Sequence, residues 1–315
     1  MMNLPDSLFP DFENSECAFT NGGATANGVR ALDLSLASVD ELLQLLGEPE
    51  HREKAISLLT RIKKQGSNKD LALQIWRSPN TIFFLLTEII SIYKSFTPEK
   101  LTMKESSRVC DVLVLFECLA SHRQTKKEFL NVQIHCYLYP FLMTEERGRP
   151  FQYLRLMSLG VIGGLLKEID DPIAKDSVHH LLQSGFFPMC LRSIEFGNDL
   201  SQSTASWIIS RLLIQKQGLQ YCYEPTTRMC AIMRVFKDAI EKMHDKPSAT
   251  VLKNIIQCYL IVSETSRGCL LIKSFIPSIL MSAPYINALR AHPASIKNLL
   301  EIFQRLAKGH ETTTD

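Results

Sequence analysis

The chain has 315 residues, 45% of them hydrophobic, an ordinary globular composition with room for one or two domains or one repeat array. Charge is balanced, 35 Lys+Arg against 33 Asp+Glu, so a net +2 gives no global field for nucleic acid or an anionic membrane, and any basic surface must be local. Nine cysteines, an odd number with no C-x-x-C pair, sit mostly in apolar helical contexts; they argue for a reducing compartment and against a zinc or disulfide framework.

Residues 1–35 lack apolar periodicity and are rich in Asn, Gly, Ala, Ser and Asp, as in Thr20-Asn21-Gly22-Gly23; they read as a disordered tail. The start carries no basic stretch followed by a long apolar run, and no apolar segment reaches the ~18–20 residues that span a bilayer. The expectation is a cytoplasmic protein with nuclear entry open and no membrane partner.

From Ser38 the dominant period is helical. Ser38 with Glu41 three residues later forms a capping signature before Leu42-Leu43-Gln44-Leu45-Leu46. Pro49 opens a second helix to about Lys64. Asn80-Thr81 precedes an apolar helix through Tyr93. In 107–120, Val109, Val112, Leu113, Phe116 and Leu119 recur at spacings of three and four, a core-facing stripe. Further helices are predicted at about 149–168, 173–183, 187–196, 200–216, 226–244, 248–263 and 294–307. Their connections are short and marked by Pro, Gly, Asp or Asn, as at Asp170-Asp171-Pro172. The last residues, 309–315, read as a second disordered tail.

A weak internal repeat runs through this pattern. Leu181 to Leu191 ends one helix at Gly185 and opens the next with Pro188; Phe129–Leu138 and Leu271–Leu280 repeat the apolar spacing. Pro188 and Pro277 lie about two armadillo or HEAT periods of ~40–47 residues apart. The predicted fold is all-α: a right-handed stack of helix sets, each too small to bury its own apolar face.

No nucleotide-binding, zinc-protease or nucleophile-elbow motif occurs. Gly160-Val161-Ile162-Gly163-Gly164 is glycine-rich but lies inside a helical stripe, where close helix packing is expected in place of a phosphate cradle. His179 and His180 are adjacent on a helix and diverge by about 100°, so they do not form a metal pair. The basic runs His122–Lys127, Arg61-Lys63-Lys64 and Arg147-Arg149-Arg155 read as solvated faces, with a weak nucleic-acid groove as the alternative. Trp207 and Tyr153 read either as core or as peptide-groove aromatics on the inner helices of a solenoid.

Several phrases carry a resemblance: Trp76-Arg77-Ser78 with Asn80-Thr81-Ile82, Leu138-Tyr139-Pro140-Phe141-Leu142, Arg149-Pro150-Phe151-Gln152-Tyr153-Leu154-Arg155-Leu156 with Ser158-Leu159-Gly160-Val161-Ile162-Gly163, and Lys246-Pro247-Ser248-Ala249 with Cys258-Tyr259-Leu260. In this order they resemble the armadillo-repeat "required for cell differentiation" family, the Caf-forty or Cnot-nine type subunit of the CCR-NOT deadenylase complex. The resemblance covers about residues 38–308 and implies a crescent of about six armadillo repeats, here placed at 36–308, with no enzymatic activity and no cofactor. It implies docking on the large NOT scaffold subunit. It also implies capture of short linear peptides from RNA-binding and silencing proteins, leading to poly(A) shortening, repression and decay. Family members also self-associate as homodimers and have been proposed to bind nucleic acid in a basic cleft.

Residue by residue, the resemblance places Tyr153 and Gly160 in the peptide groove. Thr204 stands there in place of a small aliphatic, and Trp207 in place of a Phe. It assigns scaffold docking to Arg77, Pro79, Phe83 and Ile90; Phe83 replaces an alanine, and extra bulk at a fixed backbone costs ~1–3 kcal/mol. In the tryptophan-accepting pockets and basic cleft, Arg228 and Arg267 match while Thr226 replaces an aromatic. The chain thus looks like a diverged member, with weakened tryptophan-motif and nucleic-acid binding. The alternative is an armadillo peptide-binding module acting outside the complex.

Overall fold

The computed structural model describes residues 37–167, 172–244 and 246–308. The expected tails, 1–35 and 309–315, and the Asp170-Asp171 connection lie outside the described residues. The described residues from Ser38 onward form one compact unit. Its described residues build helices and no strand.

The unit opens with α1 (Val39–Leu45) and α2 (Pro49–Gln65). Five sets of three follow. The first is α3 (Leu71–Arg77), α4 (Thr81–Ser91) and α5 (Met103–Ser121). The second is α6 (Arg123–Asn131), α7 (Tyr139–Met143) and α8 (Arg149–Leu165). The third is α9 (Pro172–Gln183), α10 (Phe187–Phe196) and α11 (Asp199–Ile214). The fourth is α12 (Lys216–Tyr223), α13 (Thr226–Lys242) and α14 (Ala249–Val262). The fifth is α15 (Ser266–Phe275), α16 (Ala283–Ala288) and α17 (Pro293–Lys308). With the two-helix start counted as a repeat, this is the six-unit armadillo solenoid the sequence predicts.

The last helix of each set is long, and each packs on the next: α2 on α5, α5 on α8, α8 on α11, α11 on α14, α14 on α17. This ladder is the spine of the core. Its starts lie about fifty residues apart, slightly beyond the ~40–47 of typical units. No single set buries its own apolar face, so stability comes from neighbour-on-neighbour contact.

Local chemistry sets the boundaries. Ser38 and Glu41 form the predicted capping box on α1. Thr102 and Glu105 form a second on α5, which therefore starts four residues before the predicted 107. Proline occupies the first turn of α2, α7, α8, α10 and α16, where no helical N–H bond is lost. Gly185, at φ 72°, supplies the left-handed turn between α9 and α10. The proline repeat is only partly equivalent: Pro188 lies inside α10, whereas Pro277 precedes a single 3-10 turn, Ser278–Met281.

Three glycines mark close helix approach. A Cβ on Gly164 would lie 2.6 Å from Ser121 Oγ and 3.3 Å from the Glu117 carbonyl on α5. One on Gly218 would lie 1.9 Å from the Leu212 carbonyl, and one on Gly268 would lie 1.8 Å from the Val262 carbonyl. In the α6 repeat Thr125 occupies the corresponding third helical position, and its hydroxyl donates to the Leu119 carbonyl at 2.7 Å.

Two basic runs differ from their sequence reading. Lys126 is only 1% exposed, because Thr125, Lys126, Phe129 and Leu130 form the inward stripe of α6. Arg155 is fully buried; it donates to the Thr144 carbonyl at 2.6 Å, Glu146 at 3.1 Å and Phe196 at 3.4 Å. It ties the loop before α8 to the end of α10, and burial lowers its pKa to about 10. Lys63 in the third run bridges to Glu117 at 3.3 Å.

Candidate interaction surfaces

Three surfaces emerge. The first lies on α3 and α4. Thr81, Leu85 and Ile89, four apart, point inward and are fully buried. Phe83, Thr87 and Ile90 therefore occupy the opposite face, and Phe83 is 66% and Ile90 45% exposed. Arg77 and Pro79 stand exposed at the α3–α4 corner, just before Phe83. All four predicted docking residues are thus exposed, on the α3–α4 corner and the outer face of α4.

That edge is held rigidly from beneath. Phe84 packs edge-on to Phe83 at 5.8 Å and under the Arg52 guanidinium at 5.1 Å. Glu88, nearly fully buried, receives Arg52 at 3.4 Å and Arg108 from α5. Two arginines on one buried carboxylate fix the register of α4 against α2 and α5. The apolar edge continues into the next set. Tyr93 donates to the Tyr137 carbonyl at 2.5 Å, and Tyr137 and Val132 are themselves exposed. Sequence reading missed that continuation, because Tyr137 sits in a 3-10 turn, Ile134–Leu138, with no helical period to reveal its face.

The second surface is the solvent-facing side of the ladder at α8, α11 and α14. On α8, Tyr153, Met157 and Gly160 share the partly exposed row at spacings of four and three. A Cβ on Gly160 would meet nothing within 4 Å, so an open notch lies over that turn. Gly163 and Gly164 differ: one meets Trp207 of α11 at 3.4 Å and the other meets α5. The close-packing reading of the glycine run therefore holds at 163 and 164 and fails at 160. Trp207 lies half-buried against Gly163, with the Arg211 guanidinium 5.9 Å from its ring. Thr204 departs from its predicted place: it is 4% exposed and its hydroxyl donates to the Leu200 carbonyl at 2.8 Å. The row of α11 instead runs through Ser203, Trp207 and Arg211. Asn254 of α14 locks that row to the next by donating to the Ser203 carbonyl at 2.8 Å.

The third surface joins α12, α13 and α15. Arg228 stacks 3.9 Å from the Tyr221 ring centroid and donates to the carbonyls of Tyr221 at 3.0 Å and Glu224 at 2.8 Å. Arg267 lies 5.3 Å from the Tyr223 ring and donates to the Thr226 hydroxyl. The structure brings the three predicted residues together. It adds what the sequence missed: Tyr221 and Tyr223 supply the aromatic rings that Thr226 lacks. Their signal was the i, i+2 tyrosine pair at the end of α12, legible only once α12 was recognised as a helix.

Other titratable groups serve packing. His135 is 1% exposed, and burial, with His180 nearby, lowers its pKa to about 4. Asp111 faces Lys64 and Glu53, and burial raises it to about 6. Burial also raises Cys110 to about 12, a thiol rather than a nucleophile. Among the described residues no three His, Cys, Asp or Glu side chains converge as a metal set, and no helix is long and apolar enough to cross a membrane.

Comparison with known proteins adds to this geometry. The family model described as "Cell differentiation family, Rcd1-like" matches residues 42–313. The cell differentiation protein rcd1 of Schizosaccharomyces pombe is 37% identical over 256 residues, covering 81% of this chain and 88% of that protein. Protein CAF40 of Saccharomyces cerevisiae is 37% identical over 255 residues, covering 81% of this chain and 67% of that protein. Among solved structures, a designed armadillo repeat protein in complex with the peptide (KR)4 matches with a TM-score of 0.58 at 11% identity, covering 86% of this chain and all of that one. A second designed armadillo repeat protein gives 0.59 at 11% identity, with 85% of this chain covered and all of that one. These last two establish the fold alone.

Proposed function

The chain belongs to the Rcd1-like cell differentiation family, and we propose that it is a non-enzymatic adaptor of the CCR-NOT deadenylase complex. In this reading the α3–α4 edge docks on the large NOT scaffold subunit. The ladder face at α8 and α11 receives short peptides from RNA-binding or silencing proteins. The adaptor thereby directs deadenylation, decay and translational repression to chosen messages, in the cytoplasm and in the nucleus.

The observation that carries the reading is the outward apolar row Phe83–Ile90 on a helix whose inner face, Thr81, Leu85 and Ile89, is already buried in the core. Covering the rest of Ile90 gains part of the ~1.5–3 kcal/mol of a fully buried side chain, so leaving this edge in water favours a partner. Phe83 stands where the family resemblance places an alanine, and it projects away from its own core. A scaffold helix seated for the smaller residue meets it first. The expected penalty of ~1–3 kcal/mol weakens docking by roughly tenfold or somewhat more.

Co-purification of the full chain with the NOT scaffold, with affinities by calorimetry, tests this. Phe83→Ala should tighten the complex about tenfold by that arithmetic, and Ile90→Glu should abolish it. Unchanged affinity in Ile90→Glu would remove the α4 edge from the interface. Absence of any scaffold complex for both wild type and Phe83→Ala would favour a module acting outside the complex.

A further inference from the structure

The ladder face at α8, α11 and α14 has a one-sided charge. The α8 sequence Arg149–Leu165 contains no Asp or Glu, nor does α14, and α11 carries only Asp199 at its first turn. Cations punctuate the same face: Arg149 at the start of the α8 row, Arg211 on the α11 row and Lys253 on the α14 row. Among the described residues neither Arg149 nor Lys253 has an ion-pair partner. On the neighbouring helix α5, which packs on α8, the carboxylates are already engaged: Asp111 faces Lys64, and Glu117 bridges to Lys63 at 3.3 Å and Lys167 at 3.4 Å.

Between the cations lies an apolar seat. Tyr153 and Met157 lie on the same partly exposed row as the open notch over Gly160, and Trp207 of α11 packs on Gly163, three residues further along α8. Apolar seat and flanking cations together define one ligand chemistry. Resting on the peptide-groove reading above, we propose that this face selects acidic peptides: a segment with one large aliphatic or aromatic residue in the Gly160 notch, flanked by carboxylates that meet Arg149 and Lys253. A basic peptide is repelled by the same cations. Nucleic acid is the less suited occupant. The cations are few and separated by uncharged side chains, whereas a tracked phosphate backbone calls for a positively charged groove along its length.

Gly160 gives the proposal a clean control. A residue with a Cβ there meets open space, and glycine is the poorer helix former by ~1 kcal/mol. Gly160→Leu is therefore expected to fill the notch with no clash at its Cβ. The experiment is a selection of random 16-residue peptides displayed on bacteria against the full chain, repeated against Gly160→Leu and against Lys253→Glu/Arg149→Glu. Selected clones are then measured by fluorescence polarisation beside a 16-nucleotide poly-uridine RNA. Expected are net-negative peptides with a central Leu, Phe, Tyr or Trp, weakened at least tenfold by Gly160→Leu and by the double charge reversal. Notch-dependent peptides that are neutral or basic would overturn the acidic preference and leave the groove reading standing. No selected peptide, or peptides indifferent to Gly160→Leu, would overturn the groove reading with it. RNA binding tighter than every peptide, with affinity falling steeply as salt rises, would assign the face to nucleic acid instead.

Discussion

Two glycines four residues apart on α8 should respond to alanine in opposite directions. At Gly160 the new methyl meets nothing within 4 Å, so only backbone effects operate. Removing a helical glycine there should stabilise by ~0.4–1 kcal/mol. At Gly164 the same methyl arrives 2.6 Å from Ser121 Oγ, 3.3 Å from Ala120 Cβ and 3.3 Å from the Glu117 carbonyl. The Ser121 hydroxyl can rotate, at the loss of its 3.0 Å bond to Glu117. The carbonyl and the Ala120 methyl are fixed to the α5 backbone, so α5 and α8 must part. Overpacking of this kind costs ~1–3 kcal/mol. Set against the ~1 kcal/mol helix gain, Gly164→Ala should be neutral to about 2 kcal/mol destabilising. The two variants should therefore separate by about 1–3 kcal/mol. At ~2–4 °C per kcal/mol for a domain of 150–250 residues, somewhat less for this longer unit, that is several degrees in Tm. Thermal melts by circular dichroism at one scan rate, with urea titration as a second probe, read it directly. Equal stabilisation by both alanines would refute the close α5–α8 contact and the argument that glycine 164 is there for packing.

Glu88→Ala should destabilise by ~1.5–3 kcal/mol, because it removes the buried carboxylate shared by Arg52 and Arg108, which are themselves partly solvated; urea midpoints check this. Phe83→Ala should move Tm by less than about 0.5 kcal/mol worth, since an exposed side chain removes little from the core. A large loss would mean that Phe83 belongs to the fold and not to an interface. The buried His135 should make stability pH-dependent. Its folded pKa, about 4, lies below its ordinary 6.5, so the unfolded chain binds the proton first, and stability falls as pH drops from about 6.5 to about 4. Asp111, raised to about 6 from an ordinary 3.8, acts oppositely, adding stability as pH falls through the same range. His135→Phe should therefore unmask a gain in stability on acidification from pH 6.5 to 4.5, and Asp111→Asn should steepen the wild-type loss. Matching pH profiles for wild type and both variants would contradict the assigned burial.

The sequence by itself determined the helices with an uninterrupted stripe and a chemical start signal. Ser38–Glu41, Pro49 and the 149–165 run are visible because capping and 3.6-residue periodicity are local properties. The short helices α3, α6, α7, α12 and α16 escaped, since five to nine residues hold too little period to count. The periodicity of the Gly160–Gly164 run likewise could not separate packing from site; only the family resemblance set Gly160 apart. All three glycines look alike by period, yet 163 faces Trp207, 164 faces α5 and 160 faces open space. Which neighbour a residue meets depends on the ladder, a relation between helices about fifty residues apart. The same holds for Thr204 and Arg155, which the tertiary structure alone turned from surface into core. It also holds for Tyr221 and Tyr223, which it placed beneath Arg228 and Arg267. Family phrases identified the chain because packing demands fix their wording; only the assembled repeats decided which of those residues remain available to a partner.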